Sequence, residues 1–227
     1  MFVHIESRRR RSLRWVTPLL VAACVASYLA LAMTPPAARL AAVLHWGSIP
    51  ADLLHPLPSS GGLAAGWAVL RLFSALFIHA DLLHLAGNLL FLMIFGLPAE
   101  RALGSWRFLL LFLVGGAFAN IGGALSLPSA HGPIIGCSGA VSAVVGAYLA
   151  LFPRARLGLV LPLGVYLEFV RVPAALLISL WFLLQVLFTY VGPGFGAVVW
   201  WAHIAGFCFG ILFALASRAA VARRLRD

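Results

Sequence analysis

The sequence predicts an all-α membrane protein of six transmembrane helices, on three observations. Of 227 residues, 63% are hydrophobic and 10% charged, with a mean hydropathy of +1.04; a soluble domain carries about a quarter charged residues. The apolar residues form continuous runs rather than alternating ones, and lipid leaves helices or closed barrels as the only spanning structures. The basic residues, 16 arginines and no lysine against six carboxylates, collect at the termini and at particular loops. That distribution is an orientation signal in a membrane protein, so the net charge of +10 is read without a nucleic-acid partner.

Residues 1–14 form a basic cytoplasmic tail with Arg8, Arg9, Arg10 and Arg11 in a row, and residues 15–217 the membrane domain. The first span is Trp15 to Met33, longer than the apolar core of a signal peptide and therefore read as a retained helix. Thr34 to Phe77 is a long loop with Pro35, Pro36, Pro50, Pro56 and Pro58 and a Ser59-Ser60-Gly61-Gly62 run. Its remaining residues are apolar enough to rest in the membrane interface. The later spans are Leu82 to Leu97, Phe108 to Leu125, Ser138 to Phe152, Pro173 to Tyr190 and Val198 to Ala216. Leu157 to Val170 is apolar but short, broken by Pro162 and Gly164, and reads as re-entrant or interfacial. Residues 218–227 are a second basic tail. Six spans put both tails, Arg101, Arg107, Arg154, Arg156 and Arg171 on one side, which is then cytoplasmic.

Polar side chains inside spans are expensive and mark candidate sites. With this topology the second, fourth and sixth helices run in the same direction, and His84, Ser138 and His203 each lie near the start of one of them. The three therefore share a depth just below the external face. Ser138 stands at a helix N-terminus, where the first amides lack partners and the dipole favours an anion. Those are donors for an oxyanion. Gly206 and Gly210, after His203, share a face that matches the row Gly139, Ala143 and Ala147, so close packing brings Ser138 to His203 as nucleophile and general base. His84 and Asn88, four apart on one helix face, add oxyanion donors; His79 is a supporting neighbour. No carboxylate completes a triad, since Asp81 belongs to a loop–helix junction and Glu100 and Glu168 lie toward the cytoplasm. The three cysteines, Cys24, Cys137 and Cys208, are read without a structural disulfide, and neither a cofactor nor a catalytic metal is expected.

Together these residues resemble the rhomboid family of intramembrane serine proteases. Phe77-Ile78-His79, His84-Leu85 and Asn88-Leu89 resemble its second-helix motif, and Gly96, Glu100 and Gly104 its GxxxExxxG turn. Gly136-Cys137-Ser138-Gly139 resembles the nucleophile motif, and His203 with Gly206 and Gly210 the last-helix motif. The resemblance spans about Arg71 to Gly210. It implies a rhomboid-like helical bundle in which Ser138 is the nucleophile, His203 the base, and the Ser138 amide, His84 and Asn88 the oxyanion hole. The substrates implied are transmembrane segments of other membrane proteins, cut without a cofactor. The all-arginine basic set suits a bacterial chain, which would place the protein in the inner membrane with its active site opening to the periplasm.

Two positions depart from the family pattern. Its external loop carries Trp-Arg, whereas Arg71 follows Leu70, with Trp67 nearby. An aromatic often sits four residues after the serine, where this chain has Ser142, so Ser142 or another group is expected to orient His203 by hydrogen bonding. Gly192-Pro193-Gly194 and Gly196 read either as a mobile cap or as a plain turn between two helices. The rival readings are an inactive rhomboid-like protein that binds transmembrane clients, a transporter or channel, and a haem or quinone protein using His84 and His203.

Overall fold

A computed structural model describes residues 14–55, 61–163, 166–191 and 199–226. The arginine run at 8–11, Pro56, Pro58, Ser59, Ser60, Gly164 and the glycine-rich cap at 192–196 lie outside the described residues. The chain is a helical membrane bundle, as expected. Among the described residues four helical stretches are long and apolar enough to cross a membrane: Leu82–Leu103, Ser105–Ser126, Ala174–Val191 and Trp200–Arg224. Two further expected spans are shorter apolar helices, α1 (Val16–Ala32) of 17 residues and Ser138–Leu151 of 14.

The long loop is not irregular. It holds α2 (Pro36–Trp46), α3 (Pro50–Leu54) and α4 (Gly61–Ser74). Pro36 and Pro50 each occupy a first helical position, where the missing N–H costs nothing. Arg71 fixes these pieces: its Nε donates to the His45 carbonyl at 2.8 Å and its guanidinium pairs with Asp52 at 2.7 Å. The rings of His45, Trp46 and Trp67 pack together with centroids 4.7–5.2 Å apart. The loop anchor is therefore present although Leu70 precedes the arginine.

Next comes α5 (Leu82–Phe91), a π turn (Leu92–Gly96) and α6 (Leu97–Leu103), one continuous stretch. Asp81 caps it, accepting from the His84 amide at 2.8 Å, which is the structural role of a carboxylate at a helix start. Gly104, at φ +84°, turns the chain into α7 (Ser105–Ser126) beneath the Arg224 guanidinium. Glu100 is 1% exposed and holds the start of α1. It accepts from the Val16 amide (3.0 Å), the Thr17 amide (2.9 Å), the Thr17 hydroxyl (2.7 Å) and the Ser105 hydroxyl (2.6 Å).

The helix that begins at Ser138 is α8 (Ser138–Leu151), packed between α7 and α10 (Trp200–Arg226). The glycine seam forms as expected: a methyl group on Gly206 would strike the Gly139 carbonyl, on Gly210 the Ala143 carbonyl, and on Gly146 the Phe207 carbonyl. Between α8 and α9 (Ala174–Val191) the short apolar stretch is a β-hairpin rather than a helix. Strands β1 (Arg156–Leu163) and β2 (Tyr166–Pro173) pair antiparallel from Arg156↔Pro173 to Leu163↔Tyr166. The Val, Leu and Phe residues of this sequence favour pleated pairing, and Pro162 disfavours a helix there.

Candidate active site

The segment before α8 is tied by backbone pairing to the α2–α3 junction, to α3 and to the turn after α4. Ser48 and Ile134 exchange hydrogen bonds of 3.1 and 2.7 Å, Ala51 N–H donates to Ala130 O at 3.1 Å, and Gly136 N–H to Ala75 O at 2.9 Å. Asn120 of α7 donates to the Leu72 carbonyl at 2.9 Å, tying the same layer to the bundle. Gly136 sits at φ +102°, and a side chain there would lie 2.6 Å from His84 Nε2. Only glycine serves both demands, the left-handed backbone and the close approach of the imidazole.

This turn delivers Ser138 to the first position of α8. The first helical hydrogen bond runs from Val141 N–H to Cys137 O at 2.8 Å, so the amides of Ser138, Gly139 and Ala140 precede the helical ladder. Ser138 Oγ lies 2.9 Å from His203 Nε2, and His203 Nδ1 lies 3.1 Å from Gln185 Oε1 on α9. An amide oxygen only accepts, so Nδ1 carries the proton and Nε2 is the lone pair that receives the serine hydroxyl. The Trp200 ring stands edge-on to the imidazole, centroids 5.9 Å apart.

Gln185 is the residue that sequence reasoning missed. Its signal was a lone amide side chain inside an apolar span, which is by default a functional candidate. Ser142 or another group was expected to orient His203; the Ser142 hydroxyl donates to the Ser138 carbonyl at 2.7 Å instead. The back-bond to a carbonyl four residues earlier is the ordinary choice of a serine inside a helix, and Gln185 holds the histidine in its place.

A cavity of about 740 Å³ opens over these groups, lined among others by His84, Asn88, Gly136, Ser138, Gln185 and His203. Asn88 is 8% exposed and its Nδ2 has no hydrogen-bond partner among the described residues. A buried amide without a partner costs about 1–3 kcal/mol, and this one faces the cavity. His79 is buried outside the cavity, its Nδ1 3.3 Å from the Phe77 carbonyl and its ring edge-on to His84 at 5.2 Å. A second cavity of about 300 Å³, lined by Ile94, Leu177 and Ile178, shares Phe91 and Trp181 with the first. The two cavities thus adjoin beside α5 and α9.

The sequence model of the Rhomboid domain matches residues 66–219, which hold every element of this site. The chain belongs to the rhomboid family. It is 38% identical over 86 residues to Rhomboid protease GluP of Bacillus subtilis (strain 168), covering 37% of this chain and 16% of that protein. It is 36% identical over 81 residues to Inactive rhomboid protein 1 of Drosophila melanogaster, covering 36% of this chain and 6% of that protein. With Rhomboid-related protein 3 of Homo sapiens the identity is 33% over 82 residues, 36% of this chain and 20% of the relative. The matched stretches span a fifth or less of these rhomboid relatives. Within the family these names include both a protease and a protein called inactive.

Proposed function

We propose that this rhomboid is an intramembrane serine endopeptidase that cleaves transmembrane segments of other membrane proteins with a Ser138–His203 dyad. The observation that carries the reading is the 2.9 Å contact between Ser138 Oγ and His203 Nε2, with Nδ1 anchored on Gln185. In the proposed reaction His203 takes the serine proton as Oγ attacks the scissile carbonyl, then gives it to the leaving amine. Gln185 orients the ring and fixes its tautomer. Being neutral, it adds no charge to stabilise the imidazolium, unlike the carboxylate of a triad.

The oxyanion would be received by Asn88 Nδ2, the Ser138 amide and His84. The unpartnered Asn88 amide supports this, because a preorganised donor is left unsatisfied until charge develops. Depth supports a membrane substrate. A 14-residue helix is about 21 Å long, against about 30 Å of hydrocarbon, so α8 begins below the membrane surface if its far end reaches the other face. The apolar cavity beside Phe91 and Trp181 offers a substrate helix a lateral approach. The arginine distribution supports cytoplasmic tails with the chamber facing outward, which in a bacterial inner membrane is the periplasm.

The test is cleavage of a transmembrane peptide by the purified protein in liposomes. Wild type should cut, and Ser138→Ala and His203→Ala should not. A folded wild type that binds such peptides without cutting them would favour the client-binding reading instead.

A further inference from the structure

Three soft ligands converge beside the nucleophile turn without lining the catalytic cavity. Cys24 comes from the middle of α1, His79 from the turn before α5, and Cys137 immediately precedes Ser138. Their exposures are 0%, 3% and 0%, the two cysteines are free thiols, and the ligand atoms of all three lie within 4.8 Å of one another. We propose that Cys24, His79 and Cys137 form a binding site for a thiophilic d¹⁰ divalent cation of the zinc class, held by two thiolates and His79 Nε2. The proposal does not depend on the proteolytic reading.

Distance supports it first. Zinc–sulfur and zinc–nitrogen bonds of about 2.3 and 2.0–2.1 Å at a tetrahedral angle put the ligand atoms about 3.6 Å apart; Cys137 Sγ and His79 Nε2 are 3.5 Å apart. The tautomer supports it second. His79 Nδ1 faces the Phe77 carbonyl at 3.3 Å, which can only accept, so the proton belongs on Nδ1 and the Nε2 lone pair points at the thiol. A backbone carbonyl behind a histidine is the usual outer partner of a metal-bound imidazole. Charge supports it third: two thiolates and a dication form a neutral centre, which a buried site tolerates far better than an unpaired ion.

Binding is written M²⁺ + 2 RSH → M(SR)₂ + 2 H⁺, with Nε2 supplying a lone pair and no proton, and no electron transferred. The cation would tie α1 to the turn that carries Ser138, leaving a fourth position open for water.

The experiment uses the full chain, reduced, in detergent, titrated with Co²⁺ as a spectroscopic stand-in and then with Zn²⁺. The expected result is one equivalent of Co²⁺ with a thiolate-to-cobalt charge-transfer band, displaced by Zn²⁺, with two protons released per Zn²⁺ bound in weak buffer. Cys208→Ser, on the exposed cysteine of α10, should retain the band. Cys24→Ser and Cys24→Ala should lose it, with Co²⁺ affinity falling about 100-fold or more. The proposal is overturned if the reduced, folded wild type gives no stoichiometric band. A band that survives in the Cys24 variants, or that disappears with Cys208, overturns it equally. So does a Cys24–Cys137 disulfide, seen as a loss of two hydrogens by mass, that re-forms in place of metal binding.

Discussion

Gln185 gives His203 a direction without giving it a charge. Replacing it with leucine removes one buried hydrogen bond, a loss of about 1–1.5 kcal/mol, and should lower kcat about tenfold with KM unchanged in a liposome cleavage assay. An equal rise in KM would instead point to a gap opened between α9 and α10. Asn88→Ala should cost more, about 100-fold in kcat, because a preorganised oxyanion donor is worth roughly 3 kcal/mol. Ser138, His203 and His84 could be grouped from sequence because each is polar, intramembrane and placed by helix parity at one depth, and Asn88 because it stands four residues after His84 on the same helix face. Gln185 could not, because its meaning comes only from contact with a helix beyond the next loop. Ser142 misled for a related reason. A serine in a helix has a carbonyl of its own turn within reach, and sequence cannot weigh that local bond against a distant imidazole.

At the scale of elements, the family's turn motif has a physical division of labour. Gly104 supplies the positive φ, while Glu100 receives four hydrogen bonds and so anchors the start of α1. Glu100→Ala would strand two α1 amides and the Thr17 hydroxyl, each costing about 1–3 kcal/mol if left without a partner. With about 2–4 °C lost per kcal/mol for a chain of this size, the thermal midpoint in detergent should fall by several degrees. A midpoint within one degree of wild type would show that α1 docks without this anchor. The glycine seam was readable from spacing alone, since residues four apart share a face. The hairpin and the helices within the long loop were not. Strand pairing joins residues across a turn, and α2, α3 and α4 are held by Arg71, Asp52 and a cluster of aromatic rings that no local pattern announces.

For the whole molecule, the bundle places the glycine turn, Ser138 and His203 at the starts of α8 and α10, beside His84 and Asn88 in the first two turns of α5. Arg101, Arg224 and the Glu100 anchor lie at the other ends of α6 and α10. The proposed orientation rests on the arginines and predicts that cysteines introduced at Ser217 or Ala219 react with an impermeant maleimide only after the cytoplasmic side is exposed. Labelling of both from outside intact cells would invert the topology. Hydrophobic composition made the membrane class plain, whereas the exact number of crossings was harder to read. A helix as short as α8 signals depth as much as span, and its 14 residues begin where the chain is drawn inward by Ser48, Ala51 and Ala75.

The central claim is that Ser138 is an activated nucleophile, and covalent labelling by a fluorophosphonate probe tests it most directly. Purified wild type, Ser138→Ala and His203→Ala would be treated side by side in detergent. The account predicts stoichiometric labelling of wild type at Ser138, none in Ser138→Ala, and labelling slowed by three orders of magnitude or more (~10³-fold) in His203→Ala. A folded wild type that stays unlabelled, or labelling that persists in Ser138→Ala, would contradict it.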